Sequence, residues 1–352
     1  MKSDYKVKAG ISIGDLNGIG LEVIIKTLAD SRVLENIIPI IYGSGKVISF
    51  HKKSLELPEF SYIPIRKAAE ATAKKVNLIN VWNDDIVLEF GKASTISGSY
   101  AFKSLEAASN DLKAGDIDVL VTAPIDKKTI QNPEFNFAGH TEYLANKAGI
   151  TNYLMLLVGE HLKIGTITGH IPISEVAQSI SKEKIVKKIE VLHNSMVKDF
   201  GIRKPKIAVL GLNPHAGDTG LIGKEEIEII EPAVNSAKEK GIMVYGPYAA
   251  DGFFGSYNFK NFDAVLAMYH DQALIPFKTL CFESGVNFTA GLPFVRTSPD
   301  HGTGYDIAGK NKASEESFRA SLFAARDIFM ARDEHAEINS NPLKTMVKEL
   351  ER

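Results

Sequence analysis

The chain has 352 residues, of which 44% are hydrophobic and 24% charged, a length and balance that suit two soluble globular domains rather than one core. Its 41 basic and 43 acidic side chains give a formal net charge of −2, which excludes an electrostatic drive toward nucleic acid or a membrane surface. The single cysteine, Cys281, excludes an internal disulfide and fits a reducing compartment.

The first eight residues are polar and lack the apolar segment of a signal peptide. The longest apolar stretches, 37–42 and 153–158, are too short to span a bilayer and read as buried strands. A cytoplasmic protein without an anchor is expected. Along the chain, Val7, Ala9, Ile11 and Ile13 alternate as a strand, followed by a glycine-rich turn and a helix near 20–29. Strands are expected at 37–42, 118–122, 153–158, 163–168, 206–210 and 263–268. Helices are expected at 99–113, 184–200, 224–240 and 317–331. Residues 58–95 carry the weakest pattern. Alternating strands and helices predict an α/β protein with mostly parallel sheets and helices on both faces. In such sheets ligands bind in the loops at the carboxyl ends of the strands.

Four constellations fall in those loops. The turn Gly14-Asp15-Leu16-Asn17-Gly18-Ile19-Gly20 has the spacing Gly-x-x-x-Gly-x-Gly, which is not the dinucleotide fingerprint Gly-x-Gly-x-x-Gly. It suits either a ligand loop or a plain strand-to-helix turn. Of nine histidines, His140, His170, His215, His270 and His301 lie in polar, glycine-rich segments. Taken singly, each suits a hydrogen-bonded loop histidine. His170, His215 and His270 share one context, directly after predicted strands, and together suit a catalytic divalent ion. Lys278, Asn287 and Arg296 form a cationic, polar run suited to phosphate or carboxylate. The segment 300–310 is dense in Gly, Asp, Thr and His, which is costly in entropy unless a ligand orders it.

These motifs, with Val121-Thr122-Ala123-Pro124-Ile125 and Gly139-His140-Thr141-Glu142, occur in an order that closely resembles the 4-hydroxythreonine-4-phosphate dehydrogenase family over roughly residues 8–330. The resemblance implies a two-domain isocitrate/isopropylmalate dehydrogenase-like fold. Residues 1–140 plus about 300–352 would form a first, interwoven α/β domain and about 141–299 a second, with the active site in the cleft between them. It implies NAD or NADP, one divalent ion (Zn, Mg or Co), and a homodimer whose sites take residues from both subunits. Carried over by position, His170, His215 and His270 match metal ligands, and His140, Thr141, Lys278, Asn287 and Arg296 match substrate-binding residues. His301, Gly302 and Asp306 fall in a loop similar to the adenosine-binding loop of isopropylmalate dehydrogenases. Asp251 and Asp271 are candidates by residue type for the general base.

The implied reaction is NAD(P)-dependent oxidation of 4-phosphooxy-L-threonine, followed by decarboxylation, in pyridoxal phosphate biosynthesis. A 4-phospho-D-threonate or 4-phospho-D-erythronate dehydrogenase of the same family is the near alternative. A metal-dependent phosphohydrolase and a non-catalytic phosphometabolite-binding protein are the distant ones. The chain departs from the family at Leu16 and Leu21, where proline is usual, at Asp126 in place of asparagine, and at Ala273 in place of glycine. Asp126 adds a carboxylate near the expected site.

Overall fold

The computed structural model describes residues 5–57 and 60–341. The parts of the expected first domain at 1–4, 58–59 and 342–352 lie outside the described residues. The strands, in chain order, are β1 (Val7–Ser12), β2 (Ile37–Gly43), β3 (Ile63–Ile65), β4 (Asn77–Asn80), β5 (Val119–Thr122), β6 (Leu154–Val158), β7 (Lys163–Thr166), β8 (Ile207–Leu210), β9 (Val244–Tyr248), β10 (Ala264–Ala267), β11 (Val286–Ala290) and β12 (Val295–Pro299). The helices are α1 (Gly20–Ala29), α2 (Gly45–Ser54), α3 (Thr95–Ala114), α4 (His140–Ala148), α5 (Val176–Ser179), α6 (Lys182–Lys198), α7 (Glu231–Glu239), α8 (Ala250–Gly255), α9 (His270–Cys281) and α10 (Glu316–Asn339).

The strands form one sheet in the order β3-β4-β2-β1-β5-β12-β11-β6-β7-β10-β8-β9. Pairing is parallel except around β11 and β6: β11 runs antiparallel to both β12 and β6, and β6 antiparallel to β7. The expected parallel α/β sheet is present, with these antiparallel strands at its centre. Strands from the start and end of the chain fill one side of that centre, and strands from its middle fill the other.

Local chemistry sets the helices. Ser94 caps α3 by accepting the N–H of Ser97, a contact worth about 1 kcal/mol, and Gly115 ends the helix at φ 81°. Between these stops, Ala101, Phe102, Leu105, Ala108 and Leu112 form one buried stripe. Ser181 caps α6 in the same way, and Ile185, Ile189, Leu192 and Met196 are buried. The helix expected at 224–240 is interrupted: Glu226–Ile230 is a π-helical turn, and α7 follows it with Pro232 in its first turn. Proline has no N–H to donate to the preceding turn, which is where the ladder changes. The last helix runs beyond 331 to Asn339, because its final turns are solvated and carry no apolar signal.

Side-chain alternation gives the sheet two unlike faces. On one face the core is continuous: Val119 and Val121 of β5, Phe288 of β11, Leu154 and Leu156 of β6, and Val209 of β8 join it with residues of α1, α6, α7 and α10. On the other face there are two cores. One lies under α3 and α4 beside Ile40, Tyr42 and Leu120. The other lies under α8 and α9 beside Leu157, Ile164, Ala208 and Val265. Between them the central strands present Thr122, Met155, Asn287, Arg296 and Ser298, and this mostly polar strip is the floor of a cleft.

Candidate active site

The cleft has a volume of about 560 Å³. Its floor is polar because β11 and β12 turn polar residues into it: Asn287 from one, Arg296 and Ser298 from the other. Arg296 is 2% exposed, and among the described residues no carboxylate comes within salt-bridge distance of it. Its Nε and Nη2 donate to Thr122 Oγ1 at 3.1 and 2.6 Å, and Nη1 reaches Thr289 Oγ1 at 3.5 Å. Burial lowers its guanidinium to about 10. A buried cation satisfied only by hydroxyls is expensive, and an anion is its natural complement.

Its neighbours point the same way. His140, first residue of α4, keeps a buried Nε2 without a partner, and so do Asn287 Oδ1 and His301 Nε2. Burial, then Arg296 and Lys127, hold the His140 imidazole well below its usual range, so it is neutral. Thr141 Oγ1 lies 3.3 Å from Thr289 Oγ1. Lys278 Nζ stands 3.8 Å from Asp300, whose carboxyl is raised by burial against the pull of Lys278. The five substrate-binding residues expected from sequence therefore line one cleft.

The three expected metal ligands do not converge within one chain. His170 follows β7 and His270 opens α9 after the adjacent β10; their ring centroids are 5.3 Å apart at the cleft rim. Asp271 Oδ1 lies 2.7 Å from His270 Nδ1, which leaves Nε2 free. Lys127 Nζ donates to His170 Nε2 at 3.4 Å. His215 follows β8, but it is exposed and does not line the cleft. It sits in a left-handed turn with φ of 54° at His215, 52° at Ala216, 42° at Asp218 and 55° at Thr219. The buried Glu226 carboxylate holds this turn, accepting the N–H groups of Leu212 and Asn213 at 2.7 Å each. Among the described residues no group of three His, Cys, Asp or Glu side chains is placed to hold an ion.

The glycine turn and the 300–310 segment meet. Ile19 N donates to Thr303 O at 2.9 Å, and a Cβ at Gly18 would lie 2.6 Å from that same oxygen. The glycine is there for close approach. His301 and Gly302 open onto the cleft, whereas Asp306 is exposed and does not line it. Asp251 is exposed on α8 and lies off the cleft as well.

Two of the four departures from the family pattern, Leu16 and Asp126, take part in local hydrogen bonds. The Leu16 N–H donates to Ser97 Oγ at 2.8 Å, a bond proline could not make. Asp126 accepts the N–H groups of Lys128 and Thr129 at 2.9 and 2.8 Å, so its carboxylate closes a turn and does not line the cleft. Lys127, Lys184 and Lys188, absent from the motifs, also line the cleft, as do Glu142 and Asp300, which fall in motifs but were assigned no role. Lys184 and Lys188 carry no motif, and only their spacing on the predicted helix 184–200 offered a signal.

A family model described as "Pyridoxal phosphate biosynthetic protein PdxA" matches residues 35–325. A 4-hydroxythreonine-4-phosphate dehydrogenase of Bacteroides thetaiotaomicron is 50% identical over 342 residues, covering 97% of this chain and 94% of the relative. A protein of Oceanobacillus iheyensis, provisionally named D-threonate 4-phosphate dehydrogenase, is 38% identical, covering 91% of this chain and 97% of its own. The crystal structure of a 4-hydroxythreonine-4-phosphate dehydrogenase from Klebsiella pneumoniae matches with a TM-score of 0.79 at 35% identity, covering 94% of this chain and 99% of that one.

Proposed function

We propose a function from one premise: the chain belongs to the PdxA family of pyridoxal phosphate biosynthetic proteins. It is a dehydrogenase that oxidises 4-phosphooxy-L-threonine at carbon 3 to 2-amino-3-oxo-4-phosphooxybutanoate, which decarboxylates to 3-amino-2-oxopropyl phosphate. The observation that carries this reading is the buried, hydroxyl-held Arg296 among the unsatisfied polar atoms of His140 and Asn287. That arrangement suits a phosphate. Family membership removes the phosphohydrolase and the non-catalytic readings.

Arg296, fixed by Thr122, offers Nη1 as a directed donor to the phosphate, and Lys278 adds a mobile charge. Neutral His140 and Asn287 complete the shell as hydrogen-bonding partners without adding net charge. His301 and Gly302 would border the nicotinamide cofactor, NAD or NADP, which accepts the hydride when bound. The unpartnered His301 Nε2 and the glycine-to-threonine loop contact fit a group seated there.

His170 and His270 fit a divalent ion: two imidazoles line one rim, and Asp271 holds the second ring by its Nδ1, which leaves Nε2 as the nitrogen available to an ion. Such an ion, when bound, lowers the pKa of a coordinated hydroxyl. His215, turned outward on a held loop, would complete the set from the partner subunit of a homodimer. Asp271 then acts as the orienting partner of His270 rather than as the base. The domains proposed, 1–140 plus about 300–352 and about 141–299, would meet at the cleft. A cytoplasmic location is proposed with this metabolic role; no described helix is long and apolar enough to cross a membrane.

The second reading, a phosphothreonate dehydrogenase, is favoured by the Oceanobacillus relative's name. Reduced-nicotinamide formation from 4-phosphooxy-L-threonine, 4-phospho-D-threonate and 4-phospho-D-erythronate, with and without chelator, separates the two. Chelator-sensitive turnover of the amino acid is expected. Turnover of only the sugar acids would move the protein to the second reading.

A further inference from the structure

Two cations on the cleft wall have no part in the reading above. Lys184 and Lys188 stand four residues apart on α6, on one face of the helix, and both line the cleft. Like charges at this spacing disfavour a helix, so the pair is not there for α6 itself. Each amine is half-buried and held by a main-chain carbonyl: Lys184 Nζ donates to Ser179 O at 2.8 Å, and Lys188 Nζ donates to Tyr153 O. Neither joins an ion pair among the described residues. An ammonium has three N–H groups, so each lysine keeps donors to spare.

Charge and spacing both suit a second anionic group. Five cationic side chains line the cleft (Lys127, Lys184, Lys188, Lys278 and Arg296) against two carboxylates, Glu142 and Asp300. This cationic excess suits a ligand that carries two anionic groups, a phosphate and a carboxylate, beside a single ammonium. Arg296 contacts Thr289, which pairs with Met155 of β6. Lys188 is held at Tyr153, two residues before Met155, so the two contacts lie two residues along and one strand across from each other, roughly 8 Å. A four-carbon chain with phosphate on one end carbon and carboxylate at the other spans roughly 6 Å. Burial, and then Lys184, pull the Lys188 amine down to about 8, and a bound anion opposes both effects.

We infer that Lys184 and Lys188 form a second anion subsite, which takes the carboxylate of the phosphorylated substrate while Arg296 and Lys278 hold its phosphate. The inference rests on the substrate class proposed above. It makes the pair a selector for acids over the matching alcohols and amides.

The test is equilibrium binding, by calorimetry on the full-length enzyme, of 4-phosphooxy-L-threonine, its carboxamide and inorganic phosphate. Wild type is compared with Lys184→Gln, Lys188→Gln and Lys188→Arg. Each Gln variant should weaken the acid on the order of tenfold to a hundredfold. It should leave the carboxamide and inorganic phosphate within about twofold of wild type, and Lys188→Arg should recover most of the loss. Equal weakening of acid and carboxamide, or a parallel loss of inorganic phosphate, would overturn the assignment, as would unchanged binding of the acid. Failure of wild type to bind the acid at all would instead strike the substrate reading.

Discussion

At the scale of single residues, Arg296 decides the most. Its guanidinium is fixed by two N–H bonds to Thr122, so lysine cannot replace it in shape even with the charge kept. Arg296→Lys should lower kcat/KM for the phosphorylated substrate by about a hundredfold, mostly through KM, at little cost in stability. Steady-state kinetics and a melting curve check this together. A variant within twofold of wild type in kcat/KM would remove Arg296 from the phosphate site. Asp271 offers a second residue-scale prediction. Asp271→Ala frees the His270 ring and should weaken divalent-ion binding about ten- to a hundredfold, read by competition with a chromogenic chelator. Unchanged affinity would show that Asp271 orients nothing.

The five residues His140, Thr141, Lys278, Asn287 and Arg296, which line one cleft, were legible in sequence because family motifs named them. That Arg296 is buried and held by hydroxyls was not legible, because burial and partners are properties of the assembled sheet. His170 and His270 were expected together and lie together; His215 was expected with them and lies apart within one chain. Sequence order carries no information about which copy of a chain a residue serves.

At the scale of elements, the glycine turn and the 300–310 segment act as one unit. Gly18→Ala would set a Cβ at 2.6 Å from Thr303 O and force the two loops apart. We expect KM for the nicotinamide cofactor to rise several-fold and stability to fall by about 1–3 kcal/mol, with KM for the substrate nearly unchanged. A selective rise in substrate KM would contradict the placement. Beneath the same turn, His51 is 1% exposed and its Nε2 bonds Leu16 O at 2.9 Å. Burial lowers its pKa from 6.5 to about 4. Above pH 6.5 the group favours the folded state in full. As pH falls toward 4 the unfolded chain gains a proton that the folded chain refuses, and about 3 kcal/mol is lost. Urea titrations at pH 7 and pH 4.5 should show this loss in wild type and a much smaller one in His51→Gln.

Elements were read best where apolar residues sat on a clear stripe, as in α3 and α6. The strands β11 and β12 were missed because β12 runs Arg296-Thr297-Ser298 with no apolar break, and the cleft-facing Asn287 and Arg296 read as a cationic run rather than as one face of a strand. The helix α9 was missed because it holds Pro276 and starts at His270 with no side-chain cap. In both cases function had claimed the residues that would have signalled the element.

For the whole molecule, the continuous core on one face ties both ends of the sheet together. Calorimetry should therefore show one cooperative unfolding transition rather than two. Phe288→Ala, in the middle of that core, should destabilise all of it by about 3–5 kcal/mol. Two resolved transitions would mean that the halves fold independently. Assembly has its own test. If His215 serves the partner's site, inactive His215→Ala and His170→Ala chains allowed to exchange subunits should regain about a quarter of wild-type activity, since half the dimers are mixed and each has one intact site. No recovery would place all three histidines in a single subunit's site or in none.

The polar strip between the two separate cores has a further consequence. Its side chains contribute to neither hydrophobic cluster, so replacing them costs the fold little, while replacing Phe288 one position away costs it much. Lineages of this architecture can thus rewrite the cleft floor without passing through unfolded intermediates. Relatives in sequence bear names that differ in the acid named, as the Bacteroides and Oceanobacillus proteins do. Substrate drift on a fixed scaffold is what such a layout permits.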